Sequence, residues 1–499
     1  MPAKGSEDLF RLIKSLTPAE KGYFKKSAER YSVEKDNNYV KLFDLIDSQE
    51  TYDEKELLKA DFVNQLPRQK NYLQSLLLKS LQSYDSESTF TLEIENSIQQ
   101  IRALLKRGQY ELCRKLLLKT KKDAVSNEFF LEAIKLAQLE NYLNKACGMD
   151  LSVEAQKQSY AERYAFMEQE KNSDEMMELE QQVITFIRSN PTKNTTFKSK
   201  LLTSDPPLLS NKAKLIFYNA MTAYHSFNRN YDKQYFYSKE YLLLNKKIVN
   251  ISKRSAVLLP AYYNFALTCI ENKRYKECND AIEEMMLVKL NDNQFAEWQQ
   301  QMWLQLKTFL FLNTGKFEEG LVFARKHYEN KPENKHYINP RMDSEIMMNV
   351  TLIYFGNAQY KTCLKYLDAL LSPAAKENAG VIYHQALLLN ILTHYELGNK
   401  ETVEHLVIAA RRTFKNNNML TAFEDLFLNF LKKYPDDESN KTLIAETLRD
   451  LKKVENNYNI HNSVYFFCLS WLESKPGKQA LAVIIKEKAQ KEAGKNYWN

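Results

Sequence analysis

The sequence predicts an all-α fold, a solenoid of antiparallel helical hairpins with a small helical cap at its N-terminal end. Three observations point there. Turn residues are scarce, with 11 glycines and 12 prolines in 499 residues. That is far below what sheet-rich folds consume. Leu, Lys, Glu, Ala and Gln, which favour helix, are plentiful. A turn-and-helix phrase also recurs at a nearly constant spacing, the signature of a repeat array that grows without a single central core.

The phrase is a small or polar turn, then an aromatic, then a small residue three positions on. It reads Gly108-Gln109-Tyr110 with Cys113, Lys273-Arg274-Tyr275 with Cys278, Gly315-Lys316-Phe317 with Gly320, and Ala358-Gln359-Tyr360 with Cys363. Looser copies are Arg229-Asn230-Tyr231 with Gln234, and Gly398-Asn399-Lys400 with Val403. Tyr231 to Tyr275 is 44 residues, then 42 to Phe317, 43 to Tyr360 and 40 to Lys400. The 121 residues from Tyr110 to Tyr231 fit three such periods. A small residue at a helix start lets two helices cross closely, and an aromatic in the turn closes the end of the hairpin with buried area. Leu364, Leu367, Leu370 and Leu371 keep the helical apolar spacing.

These residues resemble the tetratricopeptide repeat family. One unit offers Tyr262, Ala266, Lys273-x-Tyr275, Cys278 and Ile282; the next offers Phe311, Gly315-x-Phe317, Gly320, Ala324 and Pro332. The period exceeds the family's about 34 residues, and three of the six copies lack the turn glycine. The resemblance implies a right-handed α-solenoid that receives a protein or peptide segment along its concave face. Groove contacts would come from the first helix of each hairpin, here Lys214, Tyr218, Tyr263 and Asn264. The Lys, Asn and Arg set of the family's peptide clamps is not reproduced.

Along the chain, residues 1–85 read as the cap. Thr17-Pro18-Ala19-Glu20 is a capping box with proline at the first helical position, and Asp53 to Glu56 is a second candidate box. The stretch Leu16 to Lys21 faintly resembles the opening of bacterial helix-turn-helix domains, but no recognition helix follows. Residues 86–187 read as the first divergent repeats. Residues 188–212, with Pro191, Pro206 and Pro207, read as a loop or hinge. Residues 213–475 read as the main array, and 476–499 as a C-terminal helix with a basic tail.

Several chemistries find no support. There is no Gly-x-Gly and no Gly-Lys-Ser or Gly-Lys-Thr for phosphate binding. There is no Cys-x-x-Cys and no His-Glu-x-x-His for zinc, and His384, His394 and His405 are not spaced to share a helix face. Cys113, Cys278 and Cys363 share the small-residue slot and read as packing atoms. Acidic pairs such as Glu283-Glu284 read as solvated helix positions. The sequence therefore predicts no enzyme, no metal and no cofactor. No stretch approaches the roughly 18–20 apolar residues of a membrane span, and Met1 to Lys14 lacks a signal-peptide core. The expectation is a cytoplasmic protein with reduced cysteines.

Charge singles out one segment. Residues 188–254 hold thirteen Lys or Arg against three Asp or Glu, a net of +10 in a chain whose total is +7. The same segment is rich in aromatics, from Phe217 to Tyr241. Basic residues among aromatics suit an acidic protein or peptide segment, or a nucleic acid whose bases stack. The candidates are Lys212, Lys214, Tyr218, Arg229, Lys233, Lys246, Lys247, Lys253 and Arg254, with Tyr263 and Asn264 from the next hairpin. A binding scaffold for an acidic protein segment leads; a nucleic-acid-associated protein and a peptide-sensing regulator are the alternatives.

Overall fold

A computed structural model describes residues 7–29, 37–85, 90–148, 152–189, 197–203, 206–252, 255–290, 293–329, 339–373, 380–417, 419–433, 441–455, 463–477 and 479–493. The described residues are overwhelmingly helical and include no β-strand, so the fold is all-α. The chain divides into two compact units, Met1–Glu170 and Lys171–Asn499.

The first unit holds α1 (Asp8–Ser15), α2 (Pro18–Glu29), α3 (Asn38–Ser48), α4 (Glu54–Leu57), α5 (Leu66–Asp85), α6 (Phe90–Lys106), α7 (Tyr110–Ser126), α8 (Phe130–Ala146) and the first half of α9 (Val153–Arg188). Helices α1, α2, α3 and α5 enclose a small core of Leu9, Ile13, Phe24, Leu42, Phe43, Ile46, Leu73 and Leu77. The Thr17 box forms as the sequence predicts. The Thr17 N–H donates to Glu20 Oε2 at 2.6 Å, and the Glu20 N–H to Thr17 Oγ1 at 3.3 Å. Asp53 caps α4 through the Lys55 N–H at 2.9 Å, but Glu56 turns to Gln49 instead of closing a box. Helices α6, α7 and α8 pack in sequence around Ile101, Cys113, Leu117, Leu136 and Leu143.

The second unit continues with α10 (Lys200–Thr203), α11 (Asn211–Phe227), α12 (Tyr231–Ser252), α13 (Leu258–Glu271), α14 (Tyr275–Met286), α15 (Asn293–Thr314), α16 (Phe317–Ala324), α17 (Pro340–Gly356) and α18 (Tyr360–Leu370). It closes with α19 (Gly380–Glu396), α20 (Lys400–Asn416), α21 (Ala422–Lys432), α22 (Lys441–Glu455), α23 (Ser463–Ser474) and α24 (Leu481–Ala493). From α11 to α24 each helix packs on the next. In addition α13 packs on α15, α15 on α17, and α17 on α19, so from α13 to α19 the first helix of each pair meets its counterpart one repeat on.

The repeated phrase has one geometry in all six copies. Gly108, Arg229, Lys273, Gly315, Ala358 and Gly398 all have φ between +54° and +74°. Each ends its helix in the left-handed region, and the next N–H reaches back to close the last turn. Gln109 bonds Leu104 O at 3.1 Å, Arg274 bonds Cys269 O at 2.7 Å, and Gln359 bonds Tyr354 O at 3.0 Å. This is the Schellman closure, which satisfies helix-end carbonyls. A seventh copy, Glu128-Phe129-Phe130 with Ala133, joins α7 to α8, with Glu128 at φ +59°.

The small-residue slot is buried in every copy: Cys113, Gln234, Cys278, Gly320, Cys363, Val403 and Ala133 all lie inside. Gly320 shows why the slot is small, since a Cβ there would lie 3.1 Å from Phe311 Cβ and 3.2 Å from Ile353 Cδ1. The thiols of Cys113 and Cys363 each donate to a carbonyl of the preceding helix, Ile101 O and Thr351 O. Cys278→Leu and Cys363→Leu should each therefore destabilise by about 1–3 kcal/mol through overpacking. Urea denaturation checks this, and unchanged midpoints for both variants would break the alignment of the copies.

Candidate interaction surface

The charged segment folds locally as α11 and α12. Ser210 caps α11 by accepting the Ala213 N–H at 3.0 Å. The core-facing residues of α11 are Ala213, Phe217, Ala220, Met221 and His225. On α12 they are Gln234, Ser238, Leu242 and Asn245, an i, i+4, i+8, i+11 line. Most of the aromatics serve packing. Phe217 and Tyr218 pack on the Tyr237 ring, Tyr224 meets His225, and His225 stacks on Tyr237 at 5.6 Å with the planes 4° apart. Burial, aided by the nearby Lys233 charge, lowers the His225 pKa to about 4, so this imidazole stays neutral. Burial, and then Glu240, raise the Tyr218 pKa.

The predicted site residues differ in exposure. Lys212, Lys214, Tyr218, Arg229 and Asn264 are half-buried, and Lys233 and Lys247 are exposed. Lys253 and Arg254 lie outside the described residues. Lys246 is half-buried in an ion pair with Glu284 at 2.6 Å and sits 5.0 Å from the centre of the Tyr262 ring. Its hydrogen bond is the main reason the Glu284 pKa is lowered. The Tyr263 hydroxyl donates to Gln305 Oε1 at 2.6 Å; Gln305 donates on to Glu345, which Arg341 meets at 3.3 Å. Tyr263 is thus one end of a side-chain ladder across α13, α15 and α17.

Counting charge by segment hides a compensation that packing supplies. The acids of the next helix pair face α12. Glu271 accepts from Gln234 and Ser226, Glu277 from Tyr235, and Glu284 from Lys246. Burial pushes the Glu277 pKa up, but the hydrogen bonds from Tyr235 and Arg274 outweigh it and hold the carboxyl low. The Arg274 guanidinium also lies 4.0 Å from the centre of the Tyr235 ring.

What remains is the outward face of α12. Phe236 is 56% exposed and Leu243 is 47% exposed, and Lys233, Lys239 and Lys247 are exposed around them. At 100° per residue these five share one arc of the helix, bounded by Lys233 and Lys239, and Asp232 and Glu240 lie within it. The sequence reading omitted Phe236, Lys239 and Leu243. The signal was available, because positions 236 and 243 fall off the line of Gln234, Ser238, Leu242 and Asn245.

The edge where the turns align is filled by the chain itself. Along α23, Phe466 lies under the Lys273 ammonium at 5.4 Å, and Phe467 meets Phe317 at 6.1 Å and Phe355 at 5.4 Å. Trp471 meets Tyr395 at 5.2 Å and donates to Glu396, which Lys475 also reaches. Tyr465 donates to Glu424. One helix therefore touches turn-end residues of successive helix pairs from Lys273 to Glu396.

All six cysteines are free. Burial pushes the thiols of Cys278 and Cys363 up to about 12, which leaves neither a thiolate at neutral pH. Among the described residues no group of three or more His, Cys, Asp or Glu could hold a metal ion, and no helix is long and apolar enough to cross a membrane. Compared with protein-family models, with curated proteins and with solved structures, the chain matches none.

Proposed function

We propose that the protein is a non-catalytic interaction scaffold, a right-handed tetratricopeptide-like solenoid whose α12 face receives an acidic protein or peptide segment. Support for the solenoid comes from the shared turn geometry, the buried small-residue slot and the contacts between alternate helices. The observation that carries the function is the exposed pair Phe236 and Leu243 among Lys233, Lys239 and Lys247. Two apolar anchors flanked by three lysines, which outnumber Asp232 and Glu240 on the same arc, match a segment that alternates apolar and acidic side chains. The outer face is favoured over the turn edge because α23 already covers that edge.

The test uses fluorescein-labelled peptides that alternate Asp or Glu with Leu or Phe, and a labelled single-stranded oligothymidine. The peptides should bind at low salt, and Lys239→Glu with Lys247→Glu should weaken them at least about tenfold with no change in melting. That factor is the equivalent of about 1.4 kcal/mol. Equal binding by wild type and variant would sink the proposal. Preferential binding of the oligonucleotide, with a log–log salt slope of about −0.7 per phosphate, would replace it with the nucleic-acid reading.

A further inference from the structure

Helix α9 carries a second, unassigned surface. Val153, Tyr160, Tyr164 and Met167 are between 41% and 64% exposed. Their offsets of 0, 7, 11 and 14 place them on one stripe of the helix. The opposite face is engaged within the first unit. Ser159 donates to Asn141 at 2.9 Å, Glu162 pairs with Lys121 at 2.6 Å, and Phe166 stacks on Phe130 at 6.4 Å. The stripe is therefore held facing outward. Its centre is pre-arranged: the Tyr160 and Tyr164 rings lie 6.4 Å apart, and the Arg163 guanidinium lies 5.5 Å from the centre of the Tyr160 ring.

We propose that this stripe pairs with the same stripe of a second copy, the two α9 helices running antiparallel. Charge complementarity along one rim favours this pairing. Lys157 and Glu168 are exposed and border the stripe on the same side. In an antiparallel pair, a rim faces the same rim of the partner. A two-fold axis between positions 162 and 163 sets Lys157 opposite the second copy's Glu168. This juxtaposition joins opposite charges, and the symmetry repeats it. Parallel pairing in register would instead set Lys157 against Lys157. The tyrosines, with apolar rings and polar tips, suit the centre of such an interface. One helix pair of this length lies at the small end of specific interfaces, which points to a dimer with a Kd on the order of micromolar.

Sedimentation velocity of the full chain, from about 1 to 200 µM, tests the proposal. Wild type should pass from monomer to dimer across this range. Lys157→Glu alone, or Glu168→Lys alone, sets like charges opposite each other twice and should weaken the dimer at least about tenfold, or about 1.4 kcal/mol. The double variant Lys157→Glu with Glu168→Lys restores opposite charges and should return the Kd to near wild type. A wild type monomeric throughout, single variants that dimerise as wild type does, or a double variant no better than the singles would each overturn it. The rescue arm separates pairing from any effect of charge on folding, because both positions are exposed.

Discussion

Replacing Trp471 by alanine should lower the unfolding free energy of the second unit by about 3–5 kcal/mol. The side chain is only 2% exposed. Its ring is met edge-on by Tyr395, Phe427 and Phe430, and its indole N–H donates to Glu396. The Lys475 ammonium lies 4.7 Å from the centre of the same ring. Alanine would leave a cavity shared by three helices and would remove a hydrogen bond to a carboxylate. Trp471→Phe keeps most of the ring and loses the N–H, so its cost should be distinctly smaller. The four tryptophans of the sequence, at 298, 303, 471 and 498, all lie beyond Glu170, where the first unit ends. Fluorescence-monitored urea unfolding therefore reports on that unit, and Trp298 and Trp303 remain as probes in the variant.

A second large effect should appear at Gly315, and its contrast with Gly398 makes it specific. Both are left-handed turn residues, at φ +68° and +74°. An alanine at either position carries the left-handed penalty of about 1–2 kcal/mol. A Cβ at Gly398 meets nothing within 4 Å, whereas at Gly315 it lies 2.7 Å from Ala482 O and 2.9 Å from Lys486 N. Those atoms are backbone of α24 and cannot rotate away. Gly315→Ala should thus add a steric cost of about 1–3 kcal/mol, for a total well above that of Gly398→Ala. Equal costs in urea unfolding would mean that α24 does not rest on this turn.

The turns were the most legible part of the sequence because a left-handed helix end followed by an aromatic is a local event. It depends on a few neighbouring residues and recurs with them. Arg229, Lys273 and Ala358 adopt the geometry without glycine, which is why matching on glycine alone undercounts the copies. The Glu128 turn escaped notice because it lies only 20 residues after Gly108 and joins α7 to α8 within the spacing of one repeat. The charged segment was legible as composition but not as a surface. Whether Lys246 faces solvent or Glu284 depends on a residue 38 positions away. The same holds for Tyr263 and Gln305, 42 apart. The least legible feature was α23. The segment Ser463–Ser474 is apolar nearly all round, a pattern that signals a helix buried on every side. Nothing in its order says which turns it will cover, since Trp471 and Glu396 are 75 residues apart.

That placement of α23 is central, because it fills the turn edge and so underlies the proposal that a partner binds the outer face of α12. Hydrogen exchange on the intact wild-type protein tests it most directly. If α23 is integral to the second unit, its amides from Val464 to Ser474 open only with that unit. They should then exchange as slowly as those of Ile346 to Phe355 in α17. Exchange of Val464 to Ser474 faster by two or more orders of magnitude, while α17 stays protected, would show a helix that detaches on its own, and the account would fail.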